Sequence, residues 1–413
     1  MDEFDENMNE LSSSNITSLK NILTLRYDPT MKTYLSKITW RDFSETSTFS
    51  VDHIESIIKN TVRSFAHSVP DNHFAVGLSG GVDSAITIAI LREVVPEAKI
   101  DAISVRFADS VDESQIAKEI GNHFDANVHV INVENYLADL PEAISILRYP
   151  FWDSHWFYVV KNARKLCRVL LSGDGGDELF AGYTFRYEKF LAKYVPNMSP
   201  LEKTKLYLDC HERDWVPDQD SIFGKKIHFD WEQIYQQLIS SFTNSLSPLD
   251  QVLLADFNGK LLYNWIPINK SLHEYFGIKS LSPLLSKELI SYATHLPSKI
   301  KYDEKTKVGK IPLRQLLKRF VPKELISESK YGFSVNTLNL WNAEGKEICE
   351  QYLLEGRTVQ DGWVNKEWLE KKLEQLKTHQ DVRYVNKFLG LLAFEIWYRL
   401  FVTKEMKSNT TLK

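Results

Sequence analysis

From residue 73 onward the sequence alternates between short apolar runs typical of strands and apolar patterns with helical spacing. Strand patterns cover residues 73–78, 100–107, 127–133 and 167–171, and helical patterns cover residues 84–95 and 112–124. Strands that alternate with helices over about a hundred residues predict an α/β fold with a doubly wound parallel sheet. Because ligands of such sheets bind at the carboxyl ends of the strands, the segments after these strands are where a site is expected.

The rest of the chain divides by composition. Residues 1–18 are polar, with an acidic start, and are expected to be disordered, and residues 404–413 are expected to form a frayed polar tail. Residues 19–70 are predicted to extend the chain on the N-terminal side of the sheet. Residues 71–403 are expected to form the main domain, whose strand signals fade after residue 185 and whose C-terminal part is largely helical.

The N-terminal extension shows two patterns. Residues 22–27 alternate as a strand does, residues 28–30 have turn composition, and residues 33–40 can return, so a hairpin is predicted. Residues 51–68 carry apolar side chains at helical spacing, and a helix is predicted there.

The first specific motif is SGGVDS at residues 79–84, between the first strand and a helix. Glycines let backbone N–H groups approach an anion closely, the helix N-terminus adds partial positive charge, and the serine hydroxyls are further donors. The carboxylate of Asp83 repels a phosphate, so its natural role is to hold Mg²⁺ that bridges phosphate oxygens. The motif lacks the GK[ST] ending of a Walker loop. It predicts a phosphate-binding loop, and a turn that merely connects strand to helix is the weaker alternative.

A second motif, VLLSGDGGDELFAGY, occupies residues 169–183 at the end of a later strand. It places the carboxylates of Asp174, Asp177 and Glu178 within five residues, which is costly unless a cation compensates their charge. Asp174 and Asp177 can face one ligand if the turn enters a helix. A solvated acidic loop is the alternative, and the apolar residues on both sides of the motif argue against it.

Composition excludes several classes. The net charge of −5 offers no broad cationic surface, which makes a nucleic-acid partner unlikely. The three cysteines are far apart and form no zinc-ligand pattern, so structural thiols in a reducing compartment are expected, at Cys167, Cys210 and Cys349. The acidic N-terminus lacks a signal-peptide pattern, and the apolar stretch 388–402 is too short and too charged to span a bilayer. A cytoplasmic protein without a membrane partner is therefore expected.

Taken together, SGGVDS and, about ninety residues later, LLSGDGGDELFAGY resemble the synthetase domain of the asparagine synthetase family, which also includes β-lactam synthetases and lasso-peptide cyclases. Four further segments fit the family's pattern, at residues 269–271, 282–285, 310–314 and 329–333. The resemblance covers about residues 70–400 and implies an N-type ATP pyrophosphatase, which cleaves ATP between the α and β phosphates. Members of the family adenylate a carboxylate, and a nitrogen nucleophile then displaces AMP.

The resemblance also implies roles for individual residues. ATP and pyrophosphate contacts are expected at Leu78, Ser79, Gly80, Gly81, Asp83, Ser84, Val105, Ser172, Gly173 and Lys310. Mg²⁺ is expected on Asp83 and Asp177. Asp174 is expected beside the adenylate, where it receives a proton from the attacking amine, and Lys330 is expected to stabilise the negative charge of the intermediate and the departing phosphates. Lys310 and Arg314 lie one helical turn apart and are either phosphate ligands or a solvated face.

The sequence departs from the family's pattern in three places. Glutamine-using members begin with a glutaminase domain whose cysteine follows the initiator methionine, whereas this sequence has Asp2 and only 78 residues before Ser79. Ser282 stands where the family usually has an arginine, and Ser286 where it has a carboxylate, which could mean an acid other than aspartate. Arg106 stands where a small residue is common, and it either touches substrate or phosphate or forms a salt bridge at a strand end.

These departures define the expected partners. The nitrogen is expected from free ammonia, from a separate glutaminase subunit or from an amine on the substrate itself. A carrier partner and a homodimer are also compatible with the sequence. Residues 1–70 are either a docking surface for such a glutaminase partner or a structural cap.

The sequence thus favours an ATP-dependent amide-forming ligase acting on an aspartate-like carboxylate, with asparagine as the product if ammonia is the amine. A first alternative is amide or ring formation on a peptide or a specialised metabolite. A second is modification of a tRNA base by an enzyme with the same loop, which the cysteine pattern and the charge disfavour. A third is a non-enzymatic partner subunit, against which the intact Asp83, Asp177 and Lys330 argue.

Overall fold

The computed structural model describes residues 11–43, 48–107, 112–211, 215–326 and 335–413. Its strands within these ranges are β1 (His73–Gly77), β2 (Lys99–Phe107), β3 (Asn127–Val133), β4 (Val169–Leu171) and β5 (Lys279–Leu281). They form one parallel sheet in the order β3-β2-β1-β4-β5. The predicted α/β fold with a parallel sheet is confirmed, and the first three strands lie within a residue or so of their predicted bounds.

Helices make up most of the remaining described chain. In the first half they are α1 (Ser13–Leu25), α2 (Val51–Ala66), α3 (Val82–Val94), α4 (Ser114–His123), α5 (Leu140–Leu147), α6 (Trp156–Leu166), α7 (Gly176–Leu179), α8 (Thr184–Lys193) and α9 (Pro200–Asp209). In the second half they are α10 (Trp231–Leu238), α11 (Pro248–Asp256), α12 (Ile266–Phe276), α13 (Lys287–Thr294), α14 (Ser298–Lys301), α15 (Ile311–Leu317), α16 (Thr337–Leu340), α17 (Lys346–Leu353), α18 (Arg357–Gln360), α19 (Lys366–Thr378) and α20 (Val382–Phe401).

Shorter helical turns join these helices. The 3₁₀ turns are Trp40–Phe43, Gln219–Ile222, Ile239–Ser241, Pro283–Leu285 and Lys323–Leu325. A π-helical segment, Phe257–Trp265, joins α11 to α12 without a break, and a second, Trp341–Gly345, joins α16 to α17. Each π segment therefore belongs to one long helix that changes its pitch midway.

The strand order determines where a ligand can enter. The chain runs outward from β1 through β2 to β3, then returns across the sheet to β4 on the other side of β1. Right-handed crossovers put the helices of these two halves on opposite faces of the sheet. The loops that follow β1 and β4 consequently diverge at a topological switch point, the crevice where open α/β sheets bind ligands. Both glycine-rich motifs follow these two strands.

The prediction of a hairpin near the N-terminus is wrong. Residues 13–25 form α1, whose N-terminus is capped by the Ser12 hydroxyl, and the chain leaves it at Arg26 with a φ of 67°. Residues 22–27 are buried throughout, so their apparent alternation did not report a strand with one exposed face. The return strand predicted over residues 33–40 is also missing, because residues 31–39 form neither helix nor paired strand. The helix predicted over residues 51–68 is confirmed as α2.

The predictions for the two ends of the chain fare differently. Residues 1–10 lie outside the described residues, whereas residues 13–18, which were expected to be disordered, begin α1. The C-terminal tail is not frayed, because Leu412 is buried and its N–H donates to the Ala138 carbonyl at 3.3 Å. Two apolar side chains of this polar segment, Met406 and Leu412, pack against the core, and composition alone did not reveal this.

The edge strand β5 was missed by the sequence analysis. It has three residues, two of them exposed, so no run of alternating apolar residues marks it. It nevertheless pairs with β4 over its whole length, and the N–H of Ser172 donates to the Leu281 carbonyl at 3.0 Å. This pairing brings Ser282 to the same edge of the sheet as the second motif.

Candidate active site

The first loop is held by its own serines. The N–H of Leu78 continues the β1–β2 ladder by donating to Ile103 O at 2.9 Å, and the hydroxyls of Ser79 and Ser84 lie 3.1 Å apart. The N–H of Gly81 donates to Ser79 Oγ at 3.1 Å. Gly81 is the N-cap of α3 and supplies no capping side chain, so the first turn of this helix presents its amides toward the loop. This is the geometry that favours an anion.

Glycines let the second loop pack against the first. A Cβ at Gly173 would lie 2.7 Å from the Asp83 carbonyl carbon, and one at Gly176 would collide with the Asp83 carboxylate. A Cβ at Gly182 would overlap both Asp177 and Lys310. Gly175 has a φ of 96°, a backbone conformation that side chains rarely adopt. The glycines are therefore required by close approach between chain segments that lie far apart in the sequence.

Lys310 joins the two loops. Its ammonium lies 2.5 Å from Asp83 Oδ2 and 2.8 Å from Asp177 Oδ1, and its side chain is buried. It takes a φ of 55° immediately before α15, and its N–H donates to Phe180 O at 2.9 Å. Burial by itself lowers the pKa of Lys310, but the carboxylates of Asp177 and Asp83 outweigh it and raise that pKa above its usual value. Lys310 therefore stays charged, and the alternative of a solvated lysine is wrong.

Asp174 is half-buried and lies in a polar pocket of its own. Its Oδ2 accepts hydrogen bonds from Ser172 Oγ at 2.7 Å, Asn269 Nδ2 at 2.9 Å and Ser282 Oγ at 3.3 Å. Burial raises the pKa of Asp174, although these three donors partly oppose the shift. Ser282, which stands in place of the family's arginine, thus donates directly to this carboxylate. Asn269 comes from α12, so the pocket is assembled from three separate parts of the chain.

Three residues that the sequence analysis missed form a chain of contacts that ends at His155, near Asp174. Arg26 Nη2 lies 2.6 Å from Asp153 Oδ2, and both side chains are buried. Asp153 Oδ1 in turn lies 3.4 Å from His155 Nδ1, and the His155 imidazole is close enough to act electrostatically on Asp174. No local motif marks these residues. Arg26 could have been considered only if residues 13–25 had been recognised as a helix.

Glu178 completes the second motif. Its carboxylate is buried and accepts a 2.6 Å hydrogen bond from the Tyr183 hydroxyl. Burial and the neighbouring charge of Asp177 raise the pKa of Glu178 to about 7. Glu178 therefore faces the motif's own tyrosine, whereas Asp177 faces Lys310.

The remaining predicted residues are placed as follows. Leu78 is buried, and Val105 is half-buried on β2, two residues beyond the partner of Gly77, so it is level with the first loop. Arg106 is half-exposed and lies 3.6 Å from Asp112, which favours the strand-end salt bridge over a contact with substrate. Arg314 is half-buried, and its Nε donates to Gly309 O at 2.9 Å. Lys330 lies outside the described residues.

The donor set bears on metal binding. Among the residues that the structure describes, no three His, Cys, Asp or Glu side chains are grouped as a ready-made metal site. Asp83 and Asp177 nevertheless converge on one cation, the Lys310 ammonium. Mg²⁺ is usually held by one or two carboxylates together with substrate phosphates, so this pair fits the ion's chemistry in the presence of a nucleotide.

In the described part, no helix combines the length and apolar character needed to cross a membrane. The cysteines there are unpaired, at Cys167, Cys210 and Cys349.

A parallel sheet whose switch point carries a glycine-rich loop at a helix N-terminus and opposed carboxylates has the features of a phosphate-binding α/β domain. The family model described as asparagine synthase matches residues 53–399. This chain belongs to the asparagine synthase family.

Individual relatives agree. The chain is 27% identical over 417 aligned residues to asparagine synthetase [glutamine-hydrolyzing] 1 of Bacillus subtilis, with 91% of this chain and 63% of the relative covered. It is 23% identical to a putative asparagine synthetase [glutamine-hydrolyzing] of Mycobacterium bovis, with 85% and 58% covered. The chain thus spans about three fifths of the length of these relatives. Among solved structures, an NMN synthetase from Francisella tularensis is 18% identical to this chain at a TM-score of 0.27. The match covers 57% of this chain and 98% of that one.

Proposed function

We propose that this protein is an ATP-dependent, AMP-forming ligase that adenylates a carboxylate and transfers the acyl group to ammonia or an amine. The observation that carries the proposal is the meeting of the two glycine loops at the switch point, with buried Lys310 between Asp83 and Asp177. One loop suits an anion, and the other contains Asp174, a half-buried carboxylate whose pKa is raised by burial. A phosphate site next to an acid–base group is what acyl adenylation followed by amine attack requires.

The nucleotide half of the site, made of residues 78–84 with Asp177 and Lys310, would work mainly through electrostatics. The Ser79 and Ser84 hydroxyls and the first-turn amides of α3 would bind the pyrophosphate, and Lys310 would turn its charge toward the departing phosphates. When bound, Mg²⁺ would neutralise phosphate charge while held by Asp83 and Asp177. Lys310 now supplies the counter-charge for these carboxylates, so it holds them in place until nucleotide and metal arrive.

The acceptor half of the site, made of Asp174 and its hydrogen-bond donors, would accept the proton of the attacking amine. An amine that attacks an acyl-adenylate must lose a proton, and a carboxylate with a raised pKa is a better acceptor than one with an ordinary pKa. Burial raises the pKa of Asp174, which suits it to this role. Its donors, Ser172, Asn269 and Ser282, would hold the receiving oxygen in a fixed orientation.

The carboxylate is proposed to be aspartate-like, by analogy with the relatives, and asparagine is then the product when ammonia attacks. Ser282 donates to Asp174 from the position where the family usually has an arginine, so a cationic contact to a second substrate carboxylate is not supplied there. A peptide or an acid other than aspartate is therefore the second candidate for the acyl donor.

Substrate-dependent ATP–pyrophosphate exchange tests the proposal. The assay would include aspartate, other free carboxylates and acidic peptides, with and without ammonium. We expect exchange with at least one of these acids, and amide product once the amine is added. Absence of exchange with every acid would contradict the proposal.

Asp83→Ala provides the matched test of the site. We expect it to abolish exchange, because the nucleotide half loses one of its two carboxylates. Asp112→Ala is the control, since Asp112 is exposed and pairs only loosely with Arg106 at 3.6 Å. Unchanged exchange in Asp83→Ala would remove Asp83 from the proposed metal site.

A further inference from the structure

An irregular surface segment crosses the molecule between α1 and α2. Residues 31–39 form neither helix nor strand, and Trp40 and Arg41 start a 3₁₀ turn. We call residues 31–41 the 31–41 segment. Within the described residues, the backbone groups of residues 32–37 make no hydrogen bond to another part of the protein. Six successive residues thus present free N–H and C=O groups at the surface.

The 31–41 segment is nevertheless anchored to the molecule. The Asn258 side chain accepts from Ile38 N–H at 3.0 Å and donates to Ile38 O at 2.7 Å, as a neighbouring strand would. Met31, Leu35 and Ile38 are half-buried against the core. Lys32, Tyr34, Ser36 and Lys37 are exposed, so one side of the segment packs and the other faces solvent.

The offered side is basic and aromatic. Lys32, Lys37 and Arg41 are exposed, the segment contains no acidic residue, and Tyr34 and Trp40 are 40% and 42% exposed. This is a marked contrast with a chain whose net charge is −5. Large aromatic side chains at a basic surface are typical of a recognition site.

The long helix adds further positive charge beside the 31–41 segment. The Lys270 ammonium lies 3.9 Å from the centre of the Tyr34 ring, and the Lys37 ammonium lies 5.2 Å from the ring of Tyr263 on the π segment. Glu274 offsets part of this charge, because its carboxylate lies 3.4 Å from Lys270. None of the described ion pairs includes Lys32, Lys37 or Arg41, and the carboxylate of nearby Asp42 accepts from the Thr39 N–H at 2.6 Å.

One residue of this surface, Lys270, is adjacent in the sequence to a residue of the candidate active site. Lys270 follows Asn269, whose Nδ2 donates to Asp174. A chain bound along the 31–41 segment would therefore lie against the outer side of the helix whose inner side contacts the catalytic carboxylate proposed above.

We propose that the 31–41 segment, together with Lys270, is a docking surface for an acidic, extended peptide. Unpaired backbone groups can pair with the backbone of such a peptide, and the lysines and Arg41 complement its carboxylates. Single-stranded nucleic acid fits less well. One face of Tyr34 is covered by Lys270, Trp40 is contacted by Arg41 at 5.2 Å, and the free carbonyl oxygens repel phosphates. That such a peptide carries the reacting carboxylate rests on the proposed function, but its binding does not.

The test is fluorescence anisotropy without ATP, with a short labelled peptide of alternating glutamate and threonine residues added to the full chain. We expect saturable binding that weakens as salt is raised. The triple variant Lys32→Glu, Lys37→Glu, Arg41→Glu should bind at least about tenfold more weakly. The matched triple Lys371→Glu, Lys377→Glu, Lys407→Glu changes the same charge at exposed positions elsewhere and should bind as the wild type does.

Three results would overturn the proposal: no binding of the acidic peptide, equal weakening in both triple variants, or tighter binding of a labelled single-stranded RNA of equal charge. Circular dichroism of both triples checks that the exposed substitutions leave the fold intact. Tyr34→Ser, which keeps the net charge, separates aromatic recognition from simple attraction and should also weaken binding. Because no nucleotide is present, failure of the exchange assay does not affect this result.

Discussion

The nucleotide half and the acceptor half of the candidate site are built in opposite ways. The nucleotide half consists of two continuous motifs that follow β1 and β4, bridged by Lys310. The acceptor half collects single side chains around Asp174 from distant elements: Arg26 after α1, Asp153 and His155 before α6, Asn269 on α12 and Ser282 after β5. Phosphate binding relies on backbone amides, which require a fixed local sequence, whereas a substrate pocket needs only side chains in proximity.

The largest expected effect concerns the bridge in the nucleotide half. Lys310→Met leaves Asp83 and Asp177 facing each other without their counter-charge. We expect a loss of about a thousandfold in ATP–pyrophosphate exchange and a decrease of about 3 kcal/mol in unfolding free energy. Urea unfolding and the exchange assay measure the two effects. Lys307→Met, at an exposed neighbour 3.5 Å from Glu188, is the control and should change neither.

Asp174→Asn tests whether the two halves act in separate steps. The amide keeps the shape of the side chain but cannot accept the amine's proton, so we expect amide formation to fall about a hundredfold. Exchange, which needs only the nucleotide half and the acid, should stay within about threefold of the wild type. An equal loss in both assays would place Asp174 in the nucleotide half and remove the distinction.

Arg26→Gln tests whether the N-terminal helix belongs to the acceptor half. Asp153 would lose the guanidinium 2.6 Å away and no longer hold His155 firmly. We expect about a tenfold lower kcat/KM for the acid, equivalent to about 1.4 kcal/mol, with an unchanged KM for ATP. Arg26→Lys should recover part of the loss, and Lys20→Gln on the same helix should have no effect. A change in the KM for ATP, rather than in kcat/KM for the acid, would mean that α1 only supports the fold.

The smallest effect concerns the pH dependence of stability. The pKa of Glu178 is raised from 4.5 to about 7 in the folded protein, so the folded state binds the proton more tightly than the unfolded state. Its stabilising contribution is complete below about pH 4.5 and is lost as the pH rises through about 7. Glu178→Gln should therefore flatten the decline in stability between these pH values. Urea titrations of the wild type and the variant at the two ends of that pH range measure this decline. An equal decline in both proteins would contradict the prediction.

The sequence predicted well wherever local pattern and local structure coincide. The strands 73–78 and 100–107 are mostly buried, 127–133 is mostly half-buried, and all three are regular and joined by helices, so their apolar runs identified them. It failed at α1, where residues buried on every side gave an apparent alternation, and at β5, where three residues are too few to show a period. Lys330, the expected second catalytic residue, lies outside the described residues and stays a prediction.

The amino-acid sequence by itself determined the parallel sheet, the two glycine loops and the residues from which the nucleotide half is made. Those features depend on backbone conformation, which neighbouring residues dictate. Only the tertiary structure decided that Lys310 is a buried bridge rather than a solvated cation. It also brought Asn269 and Ser282 to Asp174, and Arg26 to Asp153. Contacts between residues 95 or more positions apart leave no local pattern, because they arise only when separate elements pack against one another.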